Sequence, residues 1–321
     1  MENRKIIRWL LFTLVASGAV GCARSGVSAD WPIDIGSMLP QEDLRVGDSP
    51  VETAAEILAE VVTVQPCNGS AALCQVRYNE VAYGCTHNAM SSEEEGWWGP
   101  NQGYAVPRQL EDGIRAFMLD TTYFEDTAFL CHGPCQLGSL SLADGLARFD
   151  AFLEANPNNV ITIIFEAYIS AEDTKVAFAE SGLLARVYAQ DPDSPWPTLQ
   201  EMVSAGTNVV VFSDKGGGTY PWYHDVWDHA WETHWSNEVP EDFSCKANRG
   251  SPDNALFILN HFLTDLIASP DLAAVVNRNP FLQDRALQCW DESGKMPNFV
   301  TVDFYEIGDL FSTLQSLNSA P

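Results

Sequence analysis

From residue 75 onward, short apolar runs rich in β-branched residues recur along the chain, each bounded by Asn, Pro, Gly or Asp. The runs 81–86 (VAYGCT), 114–120 (IRAFMLD), 127–131 (TAFLC), 160–166 (VITIIFE), 207–213 (TNVVVFS), 255–260 (ALFILN) and 298–303 (NFVTVD) predict strands, with a weaker one near 184–188. Between several of them, 142–155 (LADGLARFDAFLEA) and 171–180 show helical patterning. Strands that are apolar on both faces belong to parallel sheets covered on both sides. Eight of them alternating with helices predict an α/β protein, a TIM-type (β/α)8 barrel over 67–321. Residues 22–66 then form an N-terminal extension with one helix from about Val51 to Val64. An open doubly wound sheet is the alternative, but no glycine-rich phosphate loop follows the first strand.

In such barrels the chemistry gathers where strands end on the C-terminal face. Here those ends carry His87 and Asn88, Asp120, His132, Glu166, Asn260 and His261, and Asp303. Period-two alternation sorts their directions. In 160–166, Ile161, Ile163 and Phe165 share one face while Ile164 and Glu166 share the other. The greasier face belongs under the helices, so Glu166 and Asp303 point into the barrel mouth, as does Asp120 with Met118. Two histidines can divide proton transfer, one accepting from an attacking hydroxyl and one protonating a leaving oxygen. Asp303 is placed to orient the base through its second ring nitrogen. Asn88, Asp120 and Glu166 are hard oxygen donors suited to Ca²⁺ or Mg²⁺.

The N-terminus predicts export. Arg4, Lys5 and Arg8 precede an apolar run from Trp9 to Val20, too short to span a bilayer and suited to a signal-peptide core over 1–21. The run ends in Ala19-Val20-Gly21-Cys22, which resembles a bacterial lipobox, with ordinary signal-peptidase cleavage as the alternative because Ala19 stands where Leu is usual; Cys22 is then the lipid-anchored residue and the outer membrane or cell surface the expected address. In an oxidising compartment seven cysteines remain. Cys67 with Cys74, and Cys131 with Cys135, are near enough to staple short loops. Cys245 and Cys289, both read as loop residues, are the next pair, leaving Cys85 buried in a strand. The formal charge of −27 repels nucleic acid and anionic bilayers, and removing the signal peptide makes it two units more negative.

On the motifs THNAMS (86–91), NQ (101–102), QLEDGIRAFMLD (109–120), LCHGPC (130–135), FLEANPNNVITIIFEAY (152–168), WPTLQEMV (196–203), VVFS (210–213), ALFILNHF (255–262) and MPNFVTVDFY (296–305), the chain resembles the X-domain family of phosphatidylinositol-specific phospholipase C. It is most similar to the plant and microbial PLC-like phosphodiesterase branch. The resemblance implies that His87 is the general base for the inositol 2-hydroxyl and His132 the general acid for the leaving alcohol. It places Asn88, Asp120 and Glu166 at metal positions of the calcium-dependent enzymes, and Asp303 behind the base. It also implies an inositol phospholipid or related phosphodiester as substrate, to which Lys215, Asn260 and Tyr305 are assigned. Two departures stand out. Met118 replaces an acidic residue, and Asp120 stands where the metal-free bacterial enzymes place a phosphate-binding Arg. These departures leave open cleavage of another head group, or a barrel that binds without catalysis.

The stretch 219–236 (TYPWYHDVWDHAWETHWS) places Trp227, Trp231 and Trp235 at i, i+4 and i+8, which predicts a helical stripe packed on the barrel or exposed at its rim. His224, His229 and His234 recur every five residues, which spreads them around such a helix.

Overall fold

The structure is a computed structural model that describes residues 65–319 apart from 193, 265 and 266. The signal peptide expected over 1–21, Cys22 and the helix expected at 51–64 lie outside the described residues. Eleven strands form one sheet: β1 (Tyr83–Thr86), β2 (Ala116–Phe124), β3 (Thr127–Leu130), β4 (Leu140–Ser141), β5 (Ile161–Ala167), β6 (Val209–Ser213), β7 (Tyr223–Asp225), β8 (Ala230–Thr233), β9 (Ala247–Arg249), β10 (Leu256–Asn260) and β11 (Phe299–Val302). The helices are α1 (Val106–Asp112), α2 (Leu142–Ala155), α3 (Ala171–Glu180), α4 (Leu199–Ala205), α5 (Val226–His229), α6 (Pro270–Val276), α7 (Phe281–Ser293) and α8 (Leu310–Asn318). None of them is long and apolar enough to cross a membrane.

The strands run in the order β7-β6-β5-β2-β1-β11-β10-β8-β9, and the first eight of this path are mutually parallel. They curl into the expected barrel, left open at a seam, because among the described residues no pairing joins β7 to β8. Instead the short α5 carries the chain from one edge to the other, and β9 adds antiparallel to the free edge of β8.

Alternation sets the two layers of the core. Ile161, Ile163 and Phe165 pack outward with Leu146, Phe149 and Phe178 of the helices. Val160, Ile164, Val210, Phe212 and Ile258 fill the barrel interior. Tyr78 and Trp196 join that interior cluster, stacked at 4.7 Å, and the Tyr78 hydroxyl meets Thr162 Oγ1 at 2.7 Å. Helix starts follow their caps: Ser141, Ser170 and Thr198 each accept from the backbone N–H three residues on.

Eight barrel strands were expected and eight are present, but two differ. The segment 127–131 is no barrel strand: β3 folds back antiparallel on β2 through Glu125 and Asp126, both at positive φ (50° and 63°). Two-residue hairpin turns of that hand favour Asn-Gly or Asp-Gly, so Glu-Asp gave no signal. The run near 184–188 contains a 3-10 turn, Leu183–Arg186, with one isolated bridge at Val187. The missing strands are β7 and β8, inside the segment read as a helical Trp stripe. Asp225 caps a single turn there by accepting from Trp227 N–H, after which the β-branched and aromatic residues extend again. Trp231 is therefore buried and stacked on Phe257 at 3.8 Å, on a different element from Trp227 and Trp235.

Among the described residues the disulfides are Cys67–Cys74, Cys131–Cys135 and Cys245–Cys289, with Cys85 free and buried. Cys289 sits on α7 rather than in a loop, so the third bridge ties a loop to a helix.

Two histidines are locked in the neutral form. His261 Nε2–H donates to Val276 O (2.9 Å) while Nδ1 accepts from Arg285 Nη1 (3.0 Å). His224 Nδ1–H donates to Val211 O (2.8 Å) while Nε2 accepts from Gln190 N–H (3.0 Å). Burial, with Arg285 beside His261, drops their pKa values to about 3 and about 4. Both lie below the unfolded value, so the unfolded chain binds the extra protons and stability is lost as pH falls below about 6.5. Between pH 7 and 5 each histidine is expected to cost about 2 kcal/mol of stability. Urea unfolding of the wild type and His224→Gln at both pH values checks this. The variant should lose less, and equal losses would contradict the account.

Candidate active site

A cavity of about 630 Å³ opens at the C-terminal ends of the barrel strands. His87, the residue after β1, is held through its backbone. Its N–H donates to Val302 O (3.0 Å) and its carbonyl accepts from Gln102 Nε2 (2.8 Å). Its ring lies parallel on Phe262, with centroids 3.9 Å apart and planes 8° from parallel. Its Nδ1–H donates to Asp303 Oδ1 at 3.0 Å, which leaves Nε2 as the lone-pair atom in the neutral ring. Asn101 Nδ2 donates to the same carboxylate oxygen at 3.0 Å, fixing the carboxylate that fixes the ring. Burial lowers the pKa of His87, but the charge and hydrogen bond of Asp303 outweigh it and raise the net value.

Both residues that follow this pair are in the left-handed region, Asn88 at φ 46° and Phe304 at φ 46°. An aromatic residue there is strained. Phe304 is held by its N–H donating to Asn101 O at 2.8 Å, so the strained turn and the Asp303 clamp share one residue.

His132 lies in the loop after β3, inside the turn closed by Cys131–Cys135. Its side chain lines the cavity, and the loss of solvent on its cavity side, together with the charge of His87, lowers its pKa. Asp120 and Glu166 face each other in register on β2 and β5. Burial, then the neighbouring Glu166 charge, pushes Asp120 up to about 7. One amide atom of Asn88 lies 3.1 and 3.2 Å from the two Asp120 oxygens. With nitrogen there the pair is an ordinary hydrogen bond. With oxygen there, three oxygens converge beside Glu166, and either a proton on Asp120 or a bound cation satisfies them. The donor set therefore fits a hard divalent ion.

The opposite wall comes from β8, β9 and β10. Asn260 Nδ2 donates to Glu232 Oε2 (2.9 Å) and to Thr233 O (2.8 Å). Trp227, Trp235 and Arg249 complete this wall. Asn101, Gln102 and Phe262 stood out in the sequence only as parts of motifs, and Glu232 and Arg249 had no assigned role. Alternation within AWET, once recognised as a strand, would have turned Glu232 inward.

Two sequence-assigned substrate contacts do not line the cavity. Lys215 is half exposed at the rim, 3.5 Å from Asp214 and over the Tyr168 ring at 3.8 Å. Tyr305 is buried, its hydroxyl donating to Asp112 (2.8 Å) and its N–H to Gln102 Oε1 (3.2 Å). Its aromatic character sent it to the core beside the site, where it braces the Gln102 clamp. His261, also read at this mouth, is the buried neutral histidine described above.

Comparison with known proteins agrees with this architecture. The chain is 27% identical over 286 residues to an uncharacterized secreted protein of Arthroderma benhamiae, covering 81% of this chain and spanning 64% of that relative's length. It is 27% identical over 278 residues to PI-PLC X domain-containing protein 1 of the same fungus, covering 78% of this chain and 89% of the relative. Its fold resembles that of a phosphatidylinositol-specific phospholipase C from Staphylococcus aureus, with TM-score 0.52 at 14% identity over 76% of this chain and 94% of that one. The PI-PLC X family model matches residues 73–318, and with the barrel and the strand-end residues in place the chain belongs to that family.

Proposed function

We propose that the chain is an exported phosphodiesterase that cleaves an inositol-type phosphodiester by attack of the neighbouring hydroxyl on phosphorus. The observation that carries this reading is the Asp303–His87 pair, which leaves Nε2 of His87, 3.2 Å from the Asn88 side-chain amide, as the basic atom beside the cavity that His132 also lines. His87 Nε2 takes the proton of the hydroxyl adjacent to the phosphate, and that oxygen bonds to phosphorus. The bond from phosphorus to the leaving alcohol breaks, and His132 gives that oxygen its proton. The products are a cyclic phosphate and the free alcohol. Asp303 stabilises the imidazolium that His87 becomes. In the empty site the shared proton favours His87, because His132 is lowered and His87 raised. An anionic diester beside His132 draws the proton to the acid.

Asn88, Asp120 and Glu166 would hold Ca²⁺ or Mg²⁺, which when bound supplies positive charge against the phosphoryl oxygens. The lipobox-like Cys22 supports export and membrane attachment of a bacterial lipoprotein, consistent with the word "secreted" in the name of one fungal relative. One observation favours a barrel that binds without turnover: Met118 lines the cavity where a further acidic ligand would stand.

Phosphorus NMR of the mature protein with phosphatidylinositol, with Ca²⁺ or with chelator, tests the reaction. A cyclic inositol phosphate is expected, with His87→Ala and His132→Ala each slower by roughly 10²–10⁴-fold. No turnover with or without cation would contradict it and favour the binding reading. The cation site has its own readout. The Asp120 carboxyl followed by carbon NMR should titrate near 7 in chelator and fall on adding Ca²⁺. A titration unmoved by Ca²⁺ or Mg²⁺ would remove the metal from the account.

A further inference from the structure

The two histidines of the proposed reaction are held by different means. His87 is fixed at its ring, by the Asp303 carboxylate and by the stacked face of Phe262. The His132 ring makes no hydrogen bond to any described residue, so only its backbone can aim it into the cavity it lines.

That backbone is the first half of the loop between β3 and β4. At the loop's start Cys131 N–H donates to Asp120 O at 3.2 Å. At its far end Leu137 O accepts from Trp98 N–H at 2.8 Å, and Gly138 lies so close on Trp97 that a Cβ would fall 2.3 Å from the indole. Between these anchors His132, Gly133 and Pro134 are exposed, and Gly133 turns left-handed at φ 71°. Neither His132 nor Gly133 makes a backbone hydrogen bond to a described residue. The Cys131–Cys135 bridge spans this gap, with both of its cysteines buried.

The fold gains little from that bridge. β3 and β4 already pair, Phe129 with Ser141 and Leu130 with Leu140, so the hairpin is closed without it. Chain-entropy stabilisation grows with the length of the loop that a disulfide closes. A sequence separation of 4 gives less of it than the 7 and 44 of the other bridges. What the short ring does restrict is the peptide inside it, and that peptide carries His132.

We propose that the Cys131–Cys135 bridge is the positioning element of His132, serving the acid as Asp303 serves the base; this rests on the phosphodiesterase reading above. The proton must reach the leaving oxygen as its bond to phosphorus breaks, and a displacement of about 1 Å costs such a transfer up to about a hundredfold. A group that departs readily as an anion needs no proton, so the bridge extends cleavage to alcohols that leave poorly. It forms when the two thiols give up two electrons and two protons to a disulfide oxidant by thiol exchange. The acid is therefore set only in an oxidising compartment.

The test compares the full mature wild type with Cys131→Ser/Cys135→Ser on two diesters. Phosphatidylinositol has an alcohol as leaving group, and inositol para-nitrophenyl phosphate a phenolate that needs no proton. The variant should cleave the first roughly tenfold to a hundredfold more slowly at little changed KM, and the second at nearly the wild-type rate. A two-glycine insertion between Gly133 and Pro134, which keeps the bridge but loosens its ring, should split the substrates in the same way. In a His132→Ala background, opening the bridge should cost phosphatidylinositol cleavage nothing more. Equal losses on both substrates, no loss on either, or a further loss in that background would overturn the proposal. Nitrogen NMR of the His132 ring reads the bridge without turnover. Its pKa lies below the ordinary value near 6.5 with the bridge closed and should return towards it once the ring is released from the cavity. An unmoved titration would also overturn the proposal. A moved titration with no diester cleaved by any form would sink the catalytic reading alone.

Discussion

The hydrogen bond from His87 Nδ1 to Asp303 Oδ1 joins the first barrel strand to the last, and the site is built around it. β1 and β11 pair in parallel from Tyr83 with Phe299 to Thr86 with Val302, so the residues just past each strand end arrive side by side. That placement costs two left-handed residues, Asn88 and Phe304, and the loop 101–102 offsets the cost. Asn101 and Gln102 together satisfy Asp303, the His87 carbonyl and the backbone of Phe304 and Tyr305. A base fixed in tautomer and orientation by a buried carboxylate has the geometry that proton abstraction needs.

The barrel divides electrically along this line. On one side β2, β5 and the turn after β6 contribute Asp120, Glu166 and Asp214, and burial, joined by the repulsion of these carboxylates, pushes Asp120 towards neutrality. On the other, β8 and β10 contribute Glu232 and Asn260, neutralised by Arg249 and tied together by hydrogen bonds. An anionic phosphate is disfavoured by the first half unless a cation or imidazolium meets it. The open seam between β7 and β8 makes this asymmetry possible, because it admits β9 and its arginine to the interior wall.

Much of this was legible in the chain. The runs VITIIFE and NFVTVD announce both the strand and the side on which Glu166 and Asp303 fall, because period-two alternation is a local property. The unread parts depend on contacts distant in sequence. Asn101 acquires its role only when β11 brings Asp303 beside it, 202 residues on. Tyr305 has the character of a substrate contact, yet its hydroxyl is claimed by Asp112. The segment 219–236 misled for a different reason. Its tryptophans match a helical period by coincidence, while Asp225 caps a single turn and frees the rest to extend. Arg249 carries no motif, and its place follows from an edge strand pinned by a disulfide to a helix.

Asp303 makes His87 a base of raised proton affinity in an otherwise discouraging, buried setting. The most direct measurement is the imidazole nitrogen NMR titration of His87 in the wild type and in Asp303→Asn. The wild-type pKa is expected above the ordinary value near 6.5 with the proton of the neutral ring on Nδ1, and a lower pKa is expected in the variant, where only Asp120 and Glu166 still act against burial. An identical titration in the two proteins, or a neutral ring protonated on Nε2, would contradict it.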